Sequence, residues 1–435
     1  MGERIASPFL AGHATHHDWR MACELALAQI EGQGREIVHG DLPGQTLAWV
    51  YMTAPLAAHA RPLLAHLIQR TGINDWTGCC AERVLAGSAE YVGEPAIALM
   101  VGRLPSGSFR LFSGRRSDSG ERAASRARWL QVHADPQLAD VDELLQDLAR
   151  RHGAAQCYGG ITSGIESSIP QMAGEVLEGG LSGVIFSEDA GVHIGFTQGC
   201  APIGAEHRIT RCDRHLIREI DDRPALDVLL DELGMPSGVR RPRNGREMMA
   251  CLPKERLRGG LLVELGETPE EGDRTEGKRQ QRDRTQGRHD RGGEEGSRHA
   301  GHVEVPMALS GEVASAWVRN LLGIDTVDGS IAIAGQASEG ARLRFCTRDA
   351  NSARSDLVRM CTRMRDIAEE RGERLRGAVY VSCLARGEHL FGRPGIETEW
   401  VQHYLGISTL VGFHANGEIH TSRLHGYSAV LIAFS

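Results

Sequence analysis

The sequence predicts a mixed α/β protein built from two similar sheet-and-helix domains, the second interrupted by a disordered charged insertion. Three observations carry this expectation: helical apolar periodicity alternates with short β-branched runs, one strand–helix–glycine–strand pattern recurs at both ends, and residues 268–300 lack core-forming side chains. At 435 residues the chain exceeds the ~250–300 at which a single core stops growing. Two domains, 1–235 and 236–435, are therefore expected.

Taken in order, Asp18 is placed to cap a helix whose Trp19, Ala22, Leu25, Ala26 and Ile30 share one face. The run Thr46–Tyr51 reads as a strand, and Leu63, Leu64, Leu67 and Ile68 then mark a helix. Thr77-Gly78-Cys79 and the strand Ala96–Val101 follow. Asp135-Pro136 predicts a second helix start, because proline is pre-set for the first turn and aspartate accepts free N–H groups; Leu138, Val141, Leu144, Leu145 and Leu148 continue it. Gly183–Phe186 and His193–Phe196 read as strands, and Pro224–Leu233 as a helix stopped by Gly234. Ile331–Ala334 and Leu343–Cys346 are strands, Leu357, Met360, Cys361, Met364 and Ile367 form a helical stripe, and Ala378–Cys383 and Ser428–Phe434 close the chain as strands.

The internal repeat joins the two ends. Leu47–Met52, a helix, Gly78 and Ala96–Val101 find counterparts in Ala378–Cys383, a helix with Trp400, Val401, Tyr404 and Leu405, then Gly412 and Ala429–Phe434, each about 330 residues further on.

Residues 268–300 hold eight acidic and eight basic side chains. Such a segment buries too little apolar surface to offset its ordering entropy, and its balanced charge is not that of a nucleic-acid-binding tail. Gly272–Lys278 imitates a phosphate-binding loop, but Arg279 stands where a magnesium-binding Ser or Thr is needed. The net charge of −8 implies no polyanion partner. Ten cysteines form no C-x-x-C pair, so neither a zinc site nor a disulfide framework is expected, and no cofactor signature is present. Without a leader-like N-terminus or an apolar stretch of ~18 residues, a cytoplasmic location off the membrane is expected.

Two groups of motifs resemble a known family. Phe196-Thr197-Gln198-Gly199-Cys200-Ala201-Pro202-Ile203-Gly204, His207-Arg208-Ile209-Thr210 and Ile220–Leu226 resemble the end of a FIST N domain. Leu410-Val411-Gly412-Phe413, Asn416-Gly417-Glu418-Ile419 and His425 resemble the end of a FIST C domain. The likeness runs from about Asp18 to Ser435, the charged insertion excepted. It implies a FIST N-like domain at 1–235 and a FIST C-like domain at 236–435, acting as a sensory module for a small ligand such as an amino acid. Relatives carry kinase or chemotaxis-type output domains; this chain has none, so its signal is expected to pass to a separate protein. It also has Gly426-Tyr427 after His425, where relatives often place an asparagine.

The candidate ligand-binding residues are Gly412, Asn416, Gly417, Glu418 and His425 in the FIST C-like motifs, with Arg208 and Arg386 added for the chemistry an amino-acid sensor needs. Gly412, Gly417 and Gly78 either let the backbone approach a ligand or make tight turns. Glu418 offers a partner for an ammonium group and Arg208 or Arg386 for a carboxylate; surface or structural roles stand beside these. A pocket is expected at a domain interface or at the glycine-rich strand ends. His414, His420 and His425 with Glu418 match no established ligand spacing, so no metal is expected. Cys383, near Arg386 and His389, is a possible reactive thiol or a packed core cysteine. A conventional enzyme is not expected. The alternatives are a thiol-dependent enzyme using Cys383 and a protein-binding scaffold.

Overall fold

The computed structural model describes residues 9–39, 44–113, 127–153, 155–164, 169–235, 261–266 and 317–435. The charged stretch 268–300 lies outside them. The mixed α/β architecture is as expected. Compactness divides the chain differently from the linear halves 1–235 and 236–435: one unit takes the chain up to Ala201 together with the chain from Arg348, and the other takes nearly all that lies between.

Among the described residues, the first unit holds three six-stranded sheets. Each is built from the same chain order: an outer strand, a first central strand, a crossover helix, a second central strand, a hairpin and a return strand. The first copy runs Phe9–Thr15, Gln45–Thr53, helix Ala60–Thr71, Trp76–Ala81, hairpin Arg83–Ala86 and Ala89–Val92, then Ala96–Leu104. In the second these are Phe109–Ser113, Ala127–Ala134, helix Val141–Arg151, Gln156–Ile161, hairpin Pro170–Ala173 and Val176–Glu178, then Leu181–Ser187. The third has Val192–Gln198, Gly377–Cys383, helix Ile396–Leu405, Thr409–Ala415, hairpin Glu418–His420 and Arg423–His425, then Ser428–Phe434. The two copies legible in the sequence are thus the first and third of three.

In each copy the central strands pair in parallel, which requires the crossover helix between them, and the return strand pairs antiparallel to the first. The hairpin leaves its own sheet. That of the first copy extends the third sheet, that of the second extends the first, and that of the third extends the second. Every sheet edge next to a second central strand is thereby covered, in a closed cycle.

One face of every sheet enters a shared core containing Trp49, Tyr51, Tyr158, Phe186, Val381, Phe413 and Phe434. The other face is covered by helices: Trp19–His39 and Ala60–Thr71 on the first sheet, Val141–Arg151 on the second, Ala350–Glu370 and Ile396–Leu405 on the third. Where polar side chains enter the shared core they pair. Trp49 Nε1 donates to Gln131 Oε1 at 2.9 Å, Gln131 Nε2 donates to the Tyr51 hydroxyl at 3.0 Å, and His133 Nε2 lies 3.3 Å from that hydroxyl. Burial pushes His133 down to about 3, so its ring stands neutral beside the Tyr51 hydroxyl.

Local signals set the helix starts with one difference. Asp18 accepts the Arg20 N–H as expected, and Asp349 accepts that of Ser352. Asp135 instead caps a turn through the Gln137 N–H, and the helix begins only at Val141.

In the second unit, Cys200–Asp213, Arg342–Arg348, Leu261–Leu265, Trp317–Ile324, Ile331–Ile333 and Leu216–Ile220 pair in that order, and pairing of the first with the last closes the ring. Ile209, Ile217, Ile220, Val263, Leu343 and Phe345 fill its core with Leu226 and Leu229 from helix Ala225–Glu232.

Candidate functional site

The candidate residues of the FIST C-like motif gather at the ends of the third copy's strands, but most are engaged within the protein. Glu418 is fully buried, and its Oε2 accepts from the Ser428 backbone N–H at 3.0 Å and the Ser428 hydroxyl at 2.7 Å. Burial raises its carboxyl to about 8 against the opposing pull of Ser428, so it is protonated at neutral pH. Arg386, also fully buried, donates through Nε to Glu397 Oε1 at 2.7 Å and through an η nitrogen to the Tyr427 carbonyl at 3.5 Å. Glu397 further accepts from the Tyr380 and Ser382 hydroxyls at 2.7 and 2.9 Å. This guanidinium is committed to an internal carboxylate.

Cys383 is buried beside Glu418, and burial with that carboxyl pushes its thiol up to about 12. A thiol held protonated is a poor nucleophile, which weighs against the thiol-enzyme alternative. The His389 ring lies 2.8 Å from an Arg83 η nitrogen.

Gly78 and Gly412 occupy one repeated position in second central strands, and Gly78 has the positive φ of 149° that glycine permits. A Cβ at Gly78, Gly159 or Gly412 would lie 1.8, 2.0 or 1.8 Å from the carbonyl oxygen of Val50, Val132 or Tyr380, so glycine at this repeated position permits close pairing of the central strands. Gly417 has φ 134° in the turn before its hairpin, and Asn416 is exposed, with its backbone N–H donated to the Ile161 carbonyl at 3.0 Å.

The histidines separate. His414 Nδ1 donates to the Cys383 carbonyl at 3.0 Å and its Nε2 faces Glu90 Oε1 at 3.3 Å, whereas the rings of His420 and His425 pack on Phe196 at 4.2 and 4.9 Å. Among the described residues no group of three His, Cys, Asp or Glu side chains is arranged to hold a metal ion. Arg208 belongs to the second unit, exposed on the strand Cys200–Asp213, and its backbone N–H donates to Asp221 Oδ1 at 2.9 Å.

Directly connected to the buried group is an open depression of about 400 Å³ lined by Gln198, Cys200, Asn351, Ser352, Ser355, Asp356 and Arg359. Gly199, between two lining residues, donates its N–H to the Tyr427 carbonyl at 3.1 Å and accepts from the Asp349 N–H at 3.4 Å. A Cβ there would lie 3.1 Å from Arg386, 3.2 Å from the Tyr427 carbonyl and 3.4 Å from Ala353, so a side chain would crowd the space between the helix start and the buried Arg386. Asp356 accepts from the Thr197 hydroxyl at 2.7 Å and the Gln198 N–H at 2.8 Å, and it pairs with Arg359. Gln198 pairs in the sheet with Ser428, which holds Glu418.

Sequence reasoning missed the helical side of this depression. Asn351, Ser352, Ser355, Asp356 and Arg359 form a polar stripe opposite Leu357, Met360, Cys361 and Met364 on a helix capped by Asp349. That signal is present in the sequence, yet it is also what any solvated helix face looks like.

The FIST N domain matches residues 46–223 and the FIST C domain residues 289–421. An uncharacterized protein of Mycobacterium bovis is 27% identical over 423 residues, covering 94% of this chain and 95% of that protein. An uncharacterized protein of Mycobacterium tuberculosis is 27% identical over 428 residues, with 94% and 96% covered. Among the described residues no helix is long and apolar enough to cross a membrane. With both domains matched in order, the chain belongs to the FIST family, whose domains are sensory, small-ligand-binding modules of signal transduction.

Proposed function

We propose that the protein is a cytoplasmic sensor that binds a free amino acid or a related small metabolite and passes the signal to a separate protein. The observation that carries this reading is the depression at the start of helix Ala350–Glu370. It sets one carboxylate, Asp356, and one guanidinium, Arg359, among the amides of Gln198 and Asn351 and the hydroxyls of Ser352 and Ser355. A zwitterion needs this complement: an acceptor for its ammonium group, and donors with a favourable helix dipole for its carboxylate. Glu418 and Arg386 support the floor through Ser428 and Tyr427 and do not touch the ligand.

A thermal-shift screen of the standard amino acids, followed by calorimetry on any hit, tests the proposal. A genuine ligand at a hundred times its Kd adds about 2.7 kcal/mol, enough to raise the melting midpoint by several degrees. Asp356→Asn and Arg359→Ala should each abolish most of that rise, Arg208→Ala should not, and the ligand should be recovered unchanged. A hit that still shifts both depression variants, or one that is chemically consumed, would sink the proposal.

A further inference from the structure

The first and third copies of the repeat treat one joint differently. In the first, strand Phe9–Thr15 passes to helix Trp19–His39 through His16, His17 and Asp18 alone. In the third, the joint between strand Val192–Gln198 and helix Ala350–Glu370 is opened, and the second unit is inserted there. The chain enters that unit after Ala201 and returns at Arg348. Gln198 and Cys200 lie just before the outgoing crossing, and Asn351 and Ser352 just after the return. The depression is therefore lined wholly by residues of the first unit, before the outgoing crossing and after the return. The two crossing segments continue as Cys200–Asp213 and Arg342–Arg348, neighbouring paired strands of the closed ring.

Several polar contacts at this joint tie one crossing segment to the other or to the helix that follows the return. Asp356 takes hydrogen bonds from Thr197 and Gln198 on the outgoing side, and Asp349 on the return donates its N–H to the Gly199 carbonyl. Asp349 also caps the helix through Ser352.

We infer that this joint is the transmission element: a ligand bridging the outgoing strand and the helix start closes the base of the ladder formed by Cys200–Asp213 and Arg342–Arg348, and so sets the stability of the inserted ring. A ladder clamped at its base frays less along its length, because local opening of paired strands begins where partners are missing. The inserted unit then reports occupancy to the partner protein. This rests on the depression being the ligand site.

Hydrogen–deuterium exchange on the full chain tests it in two arms. In the first, no ligand is added, and Asp356→Asn is compared with wild type. Removing the charged acceptor should speed exchange about tenfold in peptides covering 200–213 and 342–348, while peptides covering 96–104 stay unchanged. Should Asp356→Asn fold poorly, Thr197→Val removes one of the same hydrogen bonds at nearly constant shape and should act in the same direction more weakly. Unchanged exchange in both ring strands overturns the inference whether or not a ligand is known. The second arm adds an equimolar mixture of the standard amino acids. Slower exchange in 350–359 together with 200–213 and 342–348 supports it. Protection of 350–359 without the ring strands keeps the sensor reading and overturns the transmission role. No protection anywhere counts against the sensor reading, and the first arm then decides the joint alone.

Discussion

Glu90 and Glu418 are both almost wholly buried and both close a polar group at the third sheet, yet they carry opposite protonation. Glu90, on the hairpin donated by the first copy, meets Arg83 at 3.3 Å, His414 at 3.3 Å and the Gly395 N–H at 3.0 Å. Burial alone would push its carboxyl up, but His414, Gly395 and Arg83 outweigh burial and hold it at about 2. For Glu418, burial prevails over the donors of Ser428, the more weakly acting charge of Arg386 and the Cys383 thiol, raising it to about 8. The difference teaches that burial does not fix the charge of an interior carboxylate; the number of cationic partners facing it does.

The largest effect expected from breaking this comparison is that of Glu90→Gln. It leaves Arg83 buried without a counter-charge and takes a partner from His414, for a loss on the order of 3–5 kcal/mol of stability, readable in denaturant titration. A loss below about 1 kcal/mol would show that the cluster is solvated.

The pH dependence sharpens the contrast, because the two groups act in opposite windows. The folded-state value of Glu90 is depressed from the usual 4.5 to about 2, so the stability it adds is present above 4.5 and is lost as the pH falls towards 2. That of Glu418 is raised from 4.5 to about 8, so its favourable contribution is full below 4.5 and is lost as the pH rises to 8. Glu418→Gln, which imitates the protonated acid, should be nearly neutral at pH 4.5 and stabilising by up to roughly 4 kcal/mol at pH 8.5. Equal effects at both pH values would show that Glu418 is ionised throughout.

The smallest effect concerns the thiol beside Glu418. Cys383→Ser should cost no more than about 1–2 kcal/mol, because one buried sulfur is replaced by a hydroxyl with polar neighbours at hand. In the native protein Cys383 should resist alkylation at pH 8, since burial and Glu418 push it up to about 12. Rapid labelling there would revive the thiol-enzyme alternative.

Much of the fold was legible because its signals are local. The stripe Leu357, Met360, Cys361 and Met364 and the cap at Asp18 needed only periodicity and hydrogen-bonding chemistry. The second copy of the repeat was hidden because its central strand Ala127–Ala134 turns Gln131 and His133 into the shared core, where Trp49 and Tyr51 satisfy them. Polar residues at inward positions erase the apolar alternation by which a strand is recognised. Of the site, Gln198 and Cys200 stood inside a motif that carried the family likeness, while Asn351, Ser352, Ser355, Asp356 and Arg359 looked like an ordinary solvated face.

By itself the sequence determined the helix stripes, the mixed α/β class, the first and third copies of the repeat and membership of the FIST family, because each depends on residues close together or on motifs that keep their order. Tertiary structure alone decided which sheet each hairpin joins, that the inserted unit opens the joint after Gln198, and that Glu418 holds its proton while Glu90 gives its up. Those outcomes depend on partners far apart in the chain: an edge strand takes whichever ladder the fold brings alongside, and a carboxyl group responds to the charges and the water that folding leaves around it.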